Sequence, residues 1–194
     1  KIYRASTGRS KLIVDNAQTI ELGHDNYNII QLPRDHHVQN SSIDIVLLQL
    51  PFWAVGCPPL ALGTLQAYLK EQNISCQIID INGHAYVTKG KKYFEYWHMK
   101  NGYNFCMEHG PMLDYYSDNR ALFLHCMEKI NRLNPKFVGC SVQNTSHILT
   151  EIFLEDFRNI YPGYNHILGG PEVAHFMNNT EELLSHDYVD AVCQ

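Results

Sequence analysis

Ile43-Asp44-Ile45-Val46-Leu47-Leu48-Gln49-Leu50-Pro51-Phe52-Trp53-Ala54-Val55-Gly56-Cys57-Pro58-Pro59-Leu60-Ala61-Leu62-Gly63 passes from an apolar run through a proline, glycine and aromatic loop into a helix. Its first half is nearly continuous in apolar and β-branched residues, as expected of a strand buried on both faces of a parallel sheet. Pro58 and Pro59 stand where a helix begins, since a missing N–H costs nothing in the first turn. Ala61, Leu62, Leu65, Tyr68 and Leu69 recur at helical spacing, and Asn73 is the expected stop.

The same alternation continues downstream. Ser75–Asp80 reads as a second strand ending in the turn Asn82-Gly83, Phe137–Val142 as a third, Asn165–Leu168 as a fourth and Tyr188–Val192 as a fifth. Between them, Leu122, Phe123, Cys126, Met127, Ile130 and Leu133 mark a helix capped by Ser117 or Asp118. Ile148, Leu149, Ile152, Phe153, Phe157 and Ile160 mark another. Strands alternating with helices imply right-handed crossovers and an α/β fold. The expectation is a flavodoxin-like, Rossmann-type parallel sheet of five strands in the order 2-1-3-4-5, occupying residues 43–194. Residues 84–117, rich in Tyr, His, Gly and Met, show no clean period and read as an insertion with a cover-like role. Residues 1–42 read as an extension with short β elements, Lys11–Val14 and Tyr27–Leu32.

Composition narrows the function classes. The 194 residues are 45% hydrophobic and 18% charged, which suits a globular domain rather than a disordered chain. The net charge of -5 argues against a nucleic-acid partner, the Lys89-Gly90-Lys91-Lys92 cluster being a solvated loop. No apolar run reaches the roughly 18 residues that would span a bilayer, so no membrane partner is expected. Cys57, Cys76, Cys106, Cys126, Cys140 and Cys193 are too scattered for a close metal-ligand pair or a small disulfide scaffold. Reduced, mostly buried thiols in a cytoplasmic protein are the expectation. The chain opens at Lys1 without a methionine or secretory pattern, which reads as a trimmed end. No Walker loop, nucleophile elbow or G-x-G-x-x-G is present.

Sheets of this kind bind ligands beyond the carboxyl ends of their strands. Three loops belong there. In the first, Pro51, Pro58 and Pro59 stiffen the path, Gly56 permits close approach, and Phe52 and Trp53 offer flat apolar surface, either to a planar ligand or as a cap on the core. Cys57 completes it. The second, Ser141, Val142, Gln143 and Asn144 followed by Thr145 and Ser146, supplies hydroxyls and amides to a ligand or to the next helix as caps. In the third, Gly169, Gly170, Pro171 and Glu172 form a turn on which a ligand could lie against bare backbone, or a simple tight turn. A bulky residue at Gly170 is expected to abolish binding while leaving the fold intact.

Taken in this order, the three loops resemble the cobalamin-binding domain that precedes the catalytic core of cobalamin-dependent radical S-adenosylmethionine proteins. The resemblance covers residues 43–194. Relatives with a histidine ligand carry D-x-H-x-x-G after strand one, then S-x-L, then G-G. Here the second element is Ser141-Val142-Gln143, the third is Gly169-Gly170, and the first is absent from the loop after strand one. The radical branch resembles instead the proline-rich pattern of residues 51–60. The resemblance implies cobalamin on the carboxyl edge without a protein histidine from that loop. It also implies a 4Fe-4S cluster and S-adenosylmethionine in a catalytic region beyond Gln194, and a methyltransfer or ring-forming reaction there. No residue of this segment is expected to be catalytic, because C-x-x-x-C-x-x-C is missing.

Asp35-His36-His37-Val38-Gln39-Asn40 nearly spells the histidine motif but precedes strand one, at the wrong end of the sheet for a cobalt ligand. A metal site of His84, His98, His109 and His125 is disfavoured by spacing. The alternative function is a non-catalytic module of the same fold that binds or senses flavin or a nucleotide.

Overall fold

The computed structural model describes residues 2–4, 19–22, 27–30, 43–56, 59–88, 91–175 and 180–193. Its elements in chain order are β1 (Ile2–Arg4), β2 (Thr19–Leu22), β3 (Tyr27–Ile30), β4 (Ile43–Gln49), α1 (Leu60–Glu71), β5 (Cys76–Asp80), α2 (Ile81–Thr88), a 3-10 segment (Lys91–Trp97), α3 (Met99–Cys106), α4 (His109–Asp118), α5 (Arg120–Leu133), β6 (Pro135–Ser141), α6 (His147–Ile160), β7 (Asn165–Gly169), α7 (Pro171–His175), α8 (Thr180–Ser185) and β8 (Ala191–Cys193).

Five strands run parallel in the spatial order β5-β4-β6-β7-β8, the flavodoxin-like 2-1-3-4-5 order read from the sequence. β1 adds a sixth, antiparallel strand beside β8, with Ile2 opposite Cys193. β2 and β3 pair as a separate antiparallel hairpin. The expected run Lys11–Val14 and the near-motif Asp35–Asn40 lie outside the described residues.

Among the described residues the two faces of the sheet are packed very unequally. One carries a continuous core in which Val46, Leu48 and Val138 meet Phe123, Met127, Leu149, Phe153 and Phe157 of α5 and α6. On the α1 side the fully buried cluster is Leu47, Leu62 and Leu69, flanked by partly buried Ile45, Ile74, Cys76 and Ile78. The register sets Leu47, Gly139, Ile167 and Ala191 level across four strands. A Cβ on Gly139 would stand 2.9 Å from Leu47 Cδ2, so that glycine leaves room for its neighbour.

Several local expectations are corrected. Leu65 and Tyr68, expected to face the core, are exposed at 41% and 36%, because α1 touches the sheet along a stripe only two leucines wide. Asn73 does end α1, in the left-handed region at φ 58°. Asn82-Gly83 is not a turn. The helix α2 starts at Ile81, with Asp80 Oδ1 accepting the N–H of Gly83 at 2.8 Å as an N-terminal cap would. Strand five is shorter and later than expected, because Asp190 Oδ2 takes the His166 N–H at 2.8 Å before regular pairing begins at Ala191.

Residues 84–117 have the helical structure that the sequence did not show. Their described residues are helical almost throughout, and Tyr93, Trp97, Cys106, Met112, Tyr115 and Tyr116 are buried in the main core. The cap expected from Ser117 or Asp118 is absent, since α4 runs through both residues. Asp118 instead accepts hydrogen bonds from Lys92 Nζ at 2.7 Å and from the Tyr93 hydroxyl.

Candidate functional site

The three loops identified in the sequence stand at the carboxyl ends of β4, β6 and β7, and hydrogen bonds tie them into one unit. Ser141 ends β6 opposite Gly169 of β7. Just past them, the Val142 N–H donates to Gly169 O at 2.7 Å, and the Glu172 N–H donates to Val142 O at 3.2 Å. The Thr145 hydroxyl then donates to the carbonyl of Phe52, joining the strand-three loop to the strand-one loop.

Gly170 sits at φ 108°, and a Cβ there would stand 2.6 Å from Val142 O and 2.7 Å from Val142 N. Backbone packing alone therefore demands glycine at this position. That corrects the expectation that a side chain here would leave the fold intact. Gly169 is different: its nearest neighbour would be Cys193 Cβ at 3.5 Å, ordinary contact.

The strand-one loop divides into a buried half and an exposed half. Pro51 is buried, the Pro51–Phe52 peptide is cis, and Phe52 is only 2% exposed. Its ring meets Trp97, Tyr115 and Tyr96 edge-on at centroid distances of 4.6, 4.7 and 5.2 Å. Of the two roles left open for Phe52, the structure gives it the core. Trp53 is half-buried, and its backbone is clamped by one side chain: Asn82 Oδ1 accepts the Trp53 N–H at 3.0 Å, and Asn82 Nδ2 donates to Trp53 O at 3.1 Å. Asn82 Oδ1 also accepts from Trp97 Nε1 at 2.8 Å. Beyond this clamp Ala54, Val55 and Gly56 are exposed, Pro59 is half-buried, and Leu60 is 77% exposed. Cys57 and Pro58 lie outside the described residues.

In the second loop Ser141, Gln143 and Asn144 are half-buried and Val142 is buried. Ser146 does not cap α6 with its side chain. Its hydroxyl turns back, accepting the Gln143 N–H at 3.0 Å and facing Gln143 O at 3.2 Å. Pro171 is exposed, whereas Glu172 is 6% exposed.

Two residues that sequence reasoning passed over join the edge here. His147 opens α6, and its Nε2 lies 2.9 Å from Glu151 Oε1 one turn on. The i, i+4 spacing was readable, but only the fold brings Glu172 within electrostatic reach of the pair. Burial pulls the His147 pKa down. The hydrogen bond to Glu151, with the charges of Glu151 and Glu172, outweighs that and holds it above the usual histidine value. Burial raises the Glu172 pKa, and the His147 charge opposes the rise. The histidine sign follows. Stability from protonated His147 is fully present below the ordinary histidine pKa and is lost as pH rises through the raised folded value. His147→Gln should remove that step from a plot of melting temperature against pH, on the alkaline side of the ordinary histidine value of about 6.5. An unchanged profile would show that the pair contributes nothing.

Four of the thiols carry no reactivity signal. Burial pushes Cys106 and Cys140 up to about 12 and Cys76 and Cys126 up to about 11, leaving all four protonated. His84 and His125 approach each other, with ring centroids 6.3 Å apart, and His98 packs on Phe94 at 4.6 Å. Among the described residues no group of three or more His, Cys, Asp or Glu is placed to hold a metal ion, and no helix is long and apolar enough to cross a membrane. No family model, no curated protein and no solved structure matches this chain.

Proposed function

We propose that this domain binds cobalamin on its carboxyl edge and is the cofactor-holding part of a cobalamin-dependent radical S-adenosylmethionine protein. The observation carrying the reading is the union of the three loops into one hydrogen-bonded edge, with Val55 and Leu60 exposed on its rim. Those residues fit the group. An apolar helix-opening leucine at 77% exposure is the kind of surface a broad planar ring covers, and Gly56 has no atom within 4 Å of the position a Cβ would take. Ser141, Gln143 and Asn144, half-buried beside the rim, would hold polar substituents. No histidine lies between Leu50 and Leu60, so that loop offers no imidazole to a metal.

Cobalamin would supply the methyl-carrying or electron-transfer chemistry. The chain's own share is to bind, to orient and to exclude water along the rim. A 4Fe-4S cluster and S-adenosylmethionine would belong to a separate catalytic region, and the overall reaction would be a methyl transfer or a ring-forming rearrangement.

Titration with hydroxocobalamin, followed by absorption, tests the reading, with flavin mononucleotide in parallel. A saturable shift of the corrin bands is expected, with no change in the flavin spectrum. A flavin shift without a corrin shift would instead assign the edge to a flavin-binding module of the same fold. No shift with either would overturn the proposal.

A further inference from the structure

We infer that Glu172 is a ligand-recognition residue, whose Oε2 accepts a hydrogen bond from a hydroxyl or amide N–H of the molecule bound on the carboxyl edge. The inference rests on the reading of that edge as a ligand site and deepens it by naming the chemistry it selects.

Among the described residues, Glu172 Oε2 is buried and has no hydrogen-bond partner. Tyr115 Oη and Arg158 Nε share that condition but matter less. The first is a neutral hydroxyl. The second belongs to a guanidinium whose other nitrogens already reach Asp190 and Pro162 O. A carboxylate oxygen without a donor is the costliest of the three, because a charged acceptor loses the most hydration on burial.

The backbone that carries Glu172 is held, so only rotation of its side chain can bring Oε2 to a donor. Its backbone N–H is fixed on Val142 O at 3.2 Å, and Gly170, two residues earlier, is jammed against the same Val142 backbone. His147 Nε2 is engaged with Glu151 at 2.9 Å and makes no hydrogen bond to Glu172 Oε2. A buried, unsatisfied acceptor on the loop after β7, at the same carboxyl edge of the sheet as exposed Val55 and Leu60, is satisfied by a donor that arrives with a ligand. The charges select the donor. With His147 protonated, two carboxylates face one imidazolium, so a phosphate is repelled and a neutral N–H or O–H is accepted.

Two measurements on Glu172→Gln and Glu172→Ala test the inference. The first is the melting temperature of ligand-free protein, and the second is affinity for hydroxocobalamin, whose amide side chains supply the donors. Glu172→Gln should melt higher than the parent and bind about tenfold more weakly, since a charged acceptor becomes a neutral one. Glu172→Ala should bind more weakly still. A purely structural glutamate would move the other way, and a lower melting temperature for Glu172→Gln overturns the inference without reference to any ligand. So does a higher melting temperature with unchanged affinity. If the parent binds no hydroxocobalamin, the cobalamin reading fails by itself. The same two measurements are then made with flavin mononucleotide and adenosine, and binding of neither overturns this inference as well.

Discussion

Gly170→Ala will destabilise the domain by about 3 kcal/mol or more, lowering its melting temperature by about 6–12 °C. Two costs add. A side chain at φ 108° is strained wherever it stands, and here its Cβ would meet backbone atoms of Val142 at 2.6 and 2.7 Å. A flexible side chain could swing away, but a peptide group locked to Gly169 O and to the Glu172 N–H cannot. Gly169→Ala is the control, since its nearest contact at 3.5 Å is ordinary and its backbone is extended. Thermal denaturation of both variants decides the matter. Gly170→Ala melting within a degree of the parent would mean that the two loops are not packed backbone to backbone.

Phe52→Ala should cost about 3–5 kcal/mol, the range for deleting a fully buried aromatic side chain. Its ring is the meeting point of Tyr96, Trp97 and Tyr115, so truncation opens a cavity that the 3-10 segment and α4 would have to collapse to fill. Phe52→Leu should cost less than half as much, because most of the volume is kept. Denaturant unfolding of the pair gives the comparison. Equal, small losses for both would show that the ring lies outside the core and is free to meet a ligand.

The parallel sheet was legible because its strands are short apolar runs with β-branched residues, and because β4 and β6 lead into helices of 12 and 14 residues with a clear period. β4 and α6 show the two patterns most plainly. The stretch 84–117 was not legible, for a reason of length. Its helical segments have 8, 7, 8 and 10 residues, whereas a helical period needs a window of about 11–18 to declare itself. Their aromatic residues also meet across segments, Tyr86 on Trp97, Phe105 on Tyr96 and Tyr115 on Tyr93, so tertiary packing rather than local pattern holds them. In the site, the gathering of three loops followed from topology alone. The assignment of individual side chains did not, because a loop phenylalanine serves a ligand or a core equally well until its neighbours are known. Trp97, 45 residues away in sequence, is one of those neighbours. Asn82 was missed for a similar reason: beside Gly83 it spells a turn, and only the fold reveals that it clamps Trp53 to Trp97.

The unequal packing of the two sheet faces sets a gradient of rigidity across the candidate site. α1 is fastened through Leu62 and Leu69, and two buried leucines are worth about 3–6 kcal/mol, less than the global stability of most domains of this size. Lifting that helix from the sheet as a unit therefore costs less than unfolding the other layer. The loop from Pro51 to Leu60 spans this boundary. Its first half is anchored by Phe52 in the main core, and its second half is carried by the more lightly packed helix. A ligand seated on Val55 and Leu60 would bridge the two, and its binding energy would go partly into holding α1 down. The outer rim of the site is in that sense a latch, closed by whatever occupies it.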